Sequence, residues 1–408
     1  MKFTRRQTLQ GLGWGVSGLG VGGVIPEFLR TAAAAAPDGE RVLVVVQLTG
    51  GNDGLNTVIP YRHEVYQRAR PQLGIPGNEV LSLAATTAPL ELGWHPALRG
   101  FANLYDAGQL SIVQGVGYPE PNRSHFESMD IWHTCQRKGD RNREGWLGKY
   151  FSQLKVNAGP GAWGLHLGAE KQPLALTARD VAVPTIQRLD QFRLQLDRKE
   201  TRTALQRGSA PSGSSELLDF VQTTQQSALS VSDRLTTKAG KAALRPGYPE
   251  TPLANKLSTA AELILSGLET RVYYVELDGF DTHAQQLSAH AALLKQLGDA
   301  VAAFAGDLQQ ASALDRVAIL CFSEFGRRVA ENASAGTDHG TAAPVFLAGG
   351  GIRPGLWGEH PSLDDLEAGD LRFRTDFRAV YAAILQQWLG VSPELMLAGE
   401  YTPLELFV

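Results

Sequence analysis

The sequence predicts an α/β fold on a central sheet whose strands are buried on both faces. Three observations predict it. Arg41–Leu48 (RVLVVVQL), Arg271–Leu277 (RVYYVEL) and Val317–Phe322 (VAILCF) are short, continuous apolar runs, the pattern of strands covered on both sides. Each run exits into a polar turn carrying Asp, Glu or His. Helical stretches, Leu253–Leu268 and Ala284–Leu308, precede and separate the later two runs. In open α/β sheets ligands collect at the carboxyl ends of strands, so functional residues are expected in those turns.

A chain of 408 residues has room for one large α/β domain or two smaller ones. Apolar content of 43% and charged content of 20% are ordinary for a globular protein. The formal net charge of −4 gives no basic footprint, so no nucleic-acid partner is expected. Cys135 and Cys321 are the two cysteines, too few for a disulfide framework. Cys321 sits inside an apolar run, where a buried free thiol is the default, and a single Cys135–Cys321 bridge is the alternative.

The first 36 residues read as an address. Thr4-Arg5-Arg6-Gln7-Thr8-Leu9 precedes a Gly-rich, mildly apolar run to Val24, and Ala32–Ala36 supplies small residues for cleavage. This is the layout of a secretory signal of the twin-arginine type. It implies the twin-arginine translocase as a partner during export and a periplasmic or extracellular destination. The run is short and glycine-rich, so no stable membrane span is expected after cleavage; an uncleaved anchor is the alternative. That route carries folded proteins, which suits a metal-loaded chain. Residues 37–408 then form one α/β domain.

The first strand runs into Thr49-Gly50-Gly51-Asn52-Asp53-Gly54. Asp53 stands at the strand's carboxyl end, where a metal ligand or substrate contact belongs; a tight Asn-Asp-Gly turn is the plainer account. The GxGxxG of a dinucleotide loop is absent. Ala97–Asp106 is amphipathic, and Leu110–Gly115 (LSIVQG) reads as the second strand. Beyond it, Ser124 and Glu127 stand three apart at a helix start, the capping-box spacing. A hydroxyl at a helix N-terminus also sits where an anionic ester is favoured. Ser124 is therefore a candidate nucleophile, and His125 a rival candidate as general acid/base. Arg123 or Asn122 would orient the anion, arginine through its two-pronged grip on phosphate or sulfate.

A helix begins at Gly145-Trp146-Leu147, short apolar pieces follow at Leu165–Leu167, Leu174–Leu176 and Val183–Ile186, and a polar helical stretch at about 190–250 reads as a cap excursion. The run Arg271–Leu277 exits through Asp278-Gly279-Phe280-Asp281-Thr282-His283. Asp281 and His283, two apart, point to one side of an extended segment, and carboxylate plus imidazole suits zinc; a solvated turn with His283 capping the next helix is the alternative. After Val317–Phe322 come Ser323-Glu324, then Asp338-His339-Gly340 before a strand Ala343–Leu347. A surface Glu paired with Arg327 or Arg328, and a lone loop histidine, are the plainer accounts here. Thr375-Asp376 starts a helix, Phe377–Leu389, with Asp376 near its N-cap.

Four stretches carry a resemblance: LTGGNDGLNTVIPY, GVGYPEPNRSHFESMDIW, ELDGFDTHAQQ and FSEFGRRVAENASAGTDHGTAAPVFLAGGGI. On these the chain resembles the twin-arginine-exported family known as domain of unknown function 1501, over roughly Val42 to Leu389. That family is similar to the alkaline phosphatase and sulfatase superfamily. The resemblance implies a mostly parallel sheet with helices on both faces and a two-metal ester hydrolase site. It implies Asp53 as first metal-binding aspartate, Ser124 as nucleophile, Asp281 and His283 as the aspartate–histidine pair, and His339 as the late metal-binding histidine. Glu324 falls where the superfamily shows an Asp-His pair, which leaves the second ion open among Zn, Mg, Mn and Ca. The CxPSR motif of sulfatases is absent, which argues against formylglycine chemistry.

The function expected is metal-assisted hydrolysis of a phosphate mono- or diester, small or polymeric. One divalent ion, zinc by its ligands, would bind Asp281, His283 and His339, with Asp338 orienting His339. A second would lie near Asp53 and Glu324. The alternatives are sulfate ester hydrolysis and a non-catalytic exported binding or assembly protein with a degenerate site.

Overall fold

The computed structural model describes residues 41–83, 90–137, 139, 144–158, 162–187 and 245–408. Contacts divide the chain into Met1–Ala34 and Ala35–Val408, and only the second unit is described. The expected leader and most of the expected cap excursion lie outside the described residues.

Nine strands form the main sheet among the described residues. In chain order they are β1 (Val42–Leu48), β2 (Leu110–Gly117), β3 (Gly164–Leu167), β4 (Thr185–Ile186), β5 (Val272–Leu277), β6 (Val317–Phe322), β7 (Ala343–Gly349), β8 (Gly355–Trp357) and β9 (Thr375–Asp376). Their order is β8-β2-β7-β6-β1-β5-β3-β4, with β9 also on β2. β1 lies at the centre, parallel to β5 and β6, and all seven of its residues are buried. Only β7 runs against its neighbours, β6 and β2. The fold is thus α/β with a mostly parallel sheet.

Alternation along the strands feeds two cores. Val42, Val44, Val46 and Leu48 face one, with Phe101 of α1 (Arg99–Asp106), Leu257 of α4 (Pro252–Leu265) and Phe304 of α5 (Gln286–Gln310). Leu43 and Val45 face the other, with Trp132 of α2 (His125–Thr134), Tyr150 of α3 (Trp146–Ala158) and Tyr381 of α6 (Phe377–Ala383). Helices therefore cover both faces. The expected helix to Leu389 changes to a π turn over Ile384–Trp388. Cys135 and Cys321 are both buried and free, so the alternative of a bridge is not realised.

Two packing features aim the functional end. The α2 ring of Trp132 stacks on Phe322 and Phe377 at centroid distances of 5.0 and 4.4 Å. Such pairs add about 0.5–1.5 kcal/mol beyond area burial, and they fix the helix whose first residue is His125. Antiparallel β7 begins where β6 ends, so the connecting loop 323–342 stays over the carboxyl ends. Pro344 has no N–H to give the ladder, and the register with β2 shifts between Ala343 and Val345.

The turn after β1 is sealed by a buried ion pair. Asp53 caps the short 3-10 turn Gly54–Asn56. Its Oδ2 lies 2.6 Å from Arg70 Nη1, and the two side chains are 1% and 0% exposed. Gln286 Nε2 donates to the same oxygen at 2.5 Å. Arg70 also donates to the carbonyls of Val329 and Arg328, both at 2.9 Å. Burial alone would raise the Asp53 carboxyl, but Arg70 outweighs it and the group lies below the usual Asp range. The pair's stability is therefore present above the unfolded-state carboxyl pKa, about 3.9, and is lost as pH falls through the lower folded value. Replacing Arg70 with Met leaves the carboxylate buried and unpaired, and should cost about 3–5 kcal/mol at neutral pH. That cost should shrink in acid as Asp53 takes up a proton. Urea unfolding of both proteins checks this, and a loss under about 1 kcal/mol, the worth of an exposed pair, would contradict it.

Candidate metal centre

Donor side chains from three chain segments meet above the carboxyl ends of β1, β5 and β6: ligand atoms of His125, Asp281 and His339 all lie within 4.8 Å of one another, and His283 reaches that group through Asp281 and His339. The exit of β5 supplies Asp281 and His283, the start of α2 supplies His125, and the loop before β7 supplies His339. Asp281 Oδ1 lies 3.3 Å from His125 Nε2, 3.0 Å from His283 Nε2 and 3.1 Å from His339 Nε2. His283 Nε2 and His339 Nε2 are 2.9 Å apart. Close backbone approach makes this possible. A Cβ on Gly50, whose φ is +117°, would stand 2.4 Å from Asp281 N, and one on Gly336 2.2 Å from the His283 carbonyl carbon.

Each ring is backed by an acceptor. His125 Nδ1 is 2.7 Å from Glu324 Oε1, His339 Nδ1 is 2.8 Å from the Arg123 carbonyl oxygen, and His283 Nδ1 is 3.4 Å from Asp338 Oδ1. Each ring thus has an acceptor on its Nδ1 side and Asp281 Oδ1 on its Nε2 side. With the proton on Nδ1, the three Nε2 atoms would be free to bind a cation beside Asp281. His125 Nε2 is buried with no hydrogen-bond partner. Three imidazoles around one carboxylate are a donor set that a cation fits. Histidines held from behind through Nδ1 are the usual arrangement of metal ligands, and nitrogen with one carboxylate oxygen suits zinc. The residues fit the ion that the sequence leads one to expect.

Electrostatics reinforce the arrangement. The hydrogen bond to Glu324 raises the His125 pKa. Partial burial would raise the Asp281 carboxyl, yet Arg327 and His339 hold it down at about 2. Arg327 is a buried guanidinium. It donates to the carbonyls of Gly51 and Thr337 at 2.8 Å, to Gly50 and Phe280, and to Asp281 Oδ1 at 2.6 Å.

The expected site residues divide into two sets. Asp281, His283 and His339 come together, joined by His125, which the sequence suggested as an acid/base. Asp53 stands apart, its carboxylate committed to Arg70, Gln286 and its own turn, so the plainer turn account describes it. Glu324 is 1% exposed rather than a surface residue. Its carboxylate accepts from Gly50 N at 2.9 Å and Ser323 Oγ at 3.0 Å besides meeting His125. Asp338 faces His283, whereas the sequence reading put it behind His339. Ser124 occupies the N-cap of α2 but its side chain makes no capping bond, so no capping box forms. The Arg123 guanidinium pairs with buried Asp370, and Asn122 Oδ1 accepts from Ser124 N at 2.8 Å. His283 does not cap α5, since Gln285 holds that position. Sequence reasoning missed the burial of Arg70 and Arg327; an arginine in a polar turn carries no mark of its depth.

A second cluster, His166, Glu170 and Glu276, brings possible ligand atoms within 4.8 Å of one another. Lys256 Nζ sits 2.9 Å from Glu170 Oε1 there.

Among curated proteins, none matches the chain. Among solved structures it is similar to the integral membrane lipooligosaccharide phosphoethanolamine transferase A of Neisseria meningitidis. Identity is 10%, coverage is 91% of this chain and 62% of that one, and the TM-score is 0.38. A protein in the alkaline phosphatase superfamily from Vibrio parahaemolyticus is 9% identical over 79% of this chain and 63% of that one, with a TM-score of 0.37. The zinc-complexed periplasmic domain of EptC from Escherichia coli is 10% identical over 76% and 74%, with a TM-score of 0.34. The chain spans under two thirds of the first two proteins' length, and likenesses at these scores carry no argument about chemistry. Residues 108–398, well over half of the sequence, match the model of a family described as "Protein of unknown function (DUF1501)", and the chain belongs to that family.

Proposed function

We propose that this protein is an exported, metal-dependent hydrolase of phosphate esters with a single divalent ion, zinc by its ligand chemistry. The observation that carries the reading is the convergence of three acceptor-backed imidazoles on Asp281. His125, His283, His339 and Asp281 would hold the ion. Bound there, it supplies a Lewis acid for the phosphoryl oxygens and the attacking hydroxyl. The remaining work falls to the chain itself. Glu324, Asp338 and the Arg123 carbonyl orient the rings, and Arg327 keeps Asp281 ionised. Ser124, beside His125 at the N-terminus of α2, offers the nucleophilic oxygen, and the helix end favours the anionic ester. Attack by Ser124 Oγ would release the alcohol, and water would then free the phosphate.

The second ion of the sequence reading is left out because Arg70 neutralises Asp53 and the Glu324 oxygens have hydrogen-bond donors. That same sealing of Asp53 favours one other reading, a non-catalytic binding protein that retains the metal group. Export rests on the leader. No helix among the described residues is long and apolar enough to cross a membrane.

Element analysis should find about one zinc per chain, with release of nitrophenol from 4-nitrophenyl phosphate. Metal without turnover of any mono- or diester would leave the binding reading, and absence of metal would remove the centre. His283→Ala should lower metal content and turnover together; full metal content would remove His283 from the ligands. Ser124→Ala should cut turnover by at least about 100-fold, the scale on which loss of a catalytic group is felt, with metal retained; undiminished turnover would reduce Ser124 to a helix-start residue.

Zinc affinity should weaken in acid, because each imidazole must be neutral to bind. The raised pKa of His125 puts the onset at higher pH than for an ordinary histidine. Glu324→Gln should lower that onset while weakening affinity at neutral pH about 10–100-fold. Competition with a chromophoric chelator across pH measures both, and an unchanged profile would contradict the role given to Glu324.

A further inference from the structure

An open cleft of about 920 Å³ runs from the metal group across the carboxyl ends of β1 and β5. His125 and Glu324 line one end, with Gln47, His133 and Glu276 further along. The volume lies near the top of the range of roughly 300–1,000 Å³ for small-molecule sites. A phosphoryl group alone would leave most of it empty, so the cleft has room for the alcohol of an ester.

The lining is selective. Gln47 Oε1 accepts from Tyr274 at 2.5 Å and lies 2.9 Å from His133 Nε2, while Gln47 Nε2 donates to Glu276 Oε1 at 3.0 Å. Burial pushes His133 down to about 3, so it is neutral. Among the described residues, the charged side chains lining the cleft are Asp130, Glu276, Glu324 and Lys171, with His125 at the metal end. The α2 wall differs. Phe126 is 88% exposed, and Met129, three residues on, shares its side of the helix. Covering such a ring removes apolar surface from water and is favourable. One apolar stripe facing acids and amides matches a molecule with a C–H face and a hydroxyl edge.

We infer that the cleft binds a neutral sugar as the alcohol portion of the ester, with Phe126 against its C–H face and Asp130 and Lys171 at its hydroxyls. This rests on the hydrolase reading for its role but not for its test. Saturation-transfer NMR on the purified protein would use the methyl β-glycosides of glucose, galactose and N-acetylglucosamine, with adenine and 4-nitrophenol for comparison. Saturation of sugar ring protons is expected. Phe126→Ala and Asp130→Asn should each weaken binding by about 10-fold, and Phe126→Trp should retain it. No transfer to any glycoside, equal binding by Phe126→Ala, or tighter binding of adenine or 4-nitrophenol would overturn the inference. Turnover of 4-nitrophenyl phosphate in the same samples reads the hydrolase assignment separately. Turnover without glycoside binding overturns the sugar alone; glycoside binding without turnover supports the cleft and removes the hydrolase.

Discussion

Arg327 donates to three chain segments at once: the turn after β1 through Gly50 and Gly51, the exit of β5 through Phe280 and Asp281, and the loop before β7 through Thr337. It is the donor to the Gly50, Gly51 and Thr337 carbonyls, and a buried carbonyl left without a partner costs about 1–3 kcal/mol. The guanidinium thus sets where Asp281 stands, and Asp281 is the point on which the imidazoles converge. A planar fork of five donors can do this; an ammonium, with three donors on a flexible stem, would leave carbonyls unpaired.

The sheet explains why distant residues arrive together. Parallel strands deliver their exits to one edge, which accounts for Asp281, His283 and Glu324. His339 precedes a strand, and in an all-parallel sheet it would lie at the far edge. The reversed direction of β7 brings it back. The Arg327–His339 bridge then pins the two ends of the loop to each other. His125 comes by a different route, from the start of a helix fixed by the Trp132 stack.

Much of this was readable in the sequence. Continuous apolar runs gave β1, β5 and β6 within a residue of their bounds, and the pairing of Asp281 with His283 followed from their spacing. Less readable was what each acid would meet. Asp53 and Asp281 follow strands in similar turns, yet one is sealed by Arg70 and the other looks out to three imidazoles. The difference lies in residues 17 and 46 positions away, which no local pattern reports. The same holds for Glu324, which had the position of a ligand and sits behind His125. His125 looked like an acid/base because it neighbours Ser124, and only the fold reveals the ring's company.

The account turns on the tautomers of three rings. Long-range proton–nitrogen NMR on metal-free protein labelled at histidine nitrogen observes them directly. On addition of zinc, His125, His283 and His339 should take the Nδ1–H form, with the Nε2 resonances alone shifting strongly. Nε2 atoms that stay protonated, or Nε2 resonances indifferent to zinc, would contradict it.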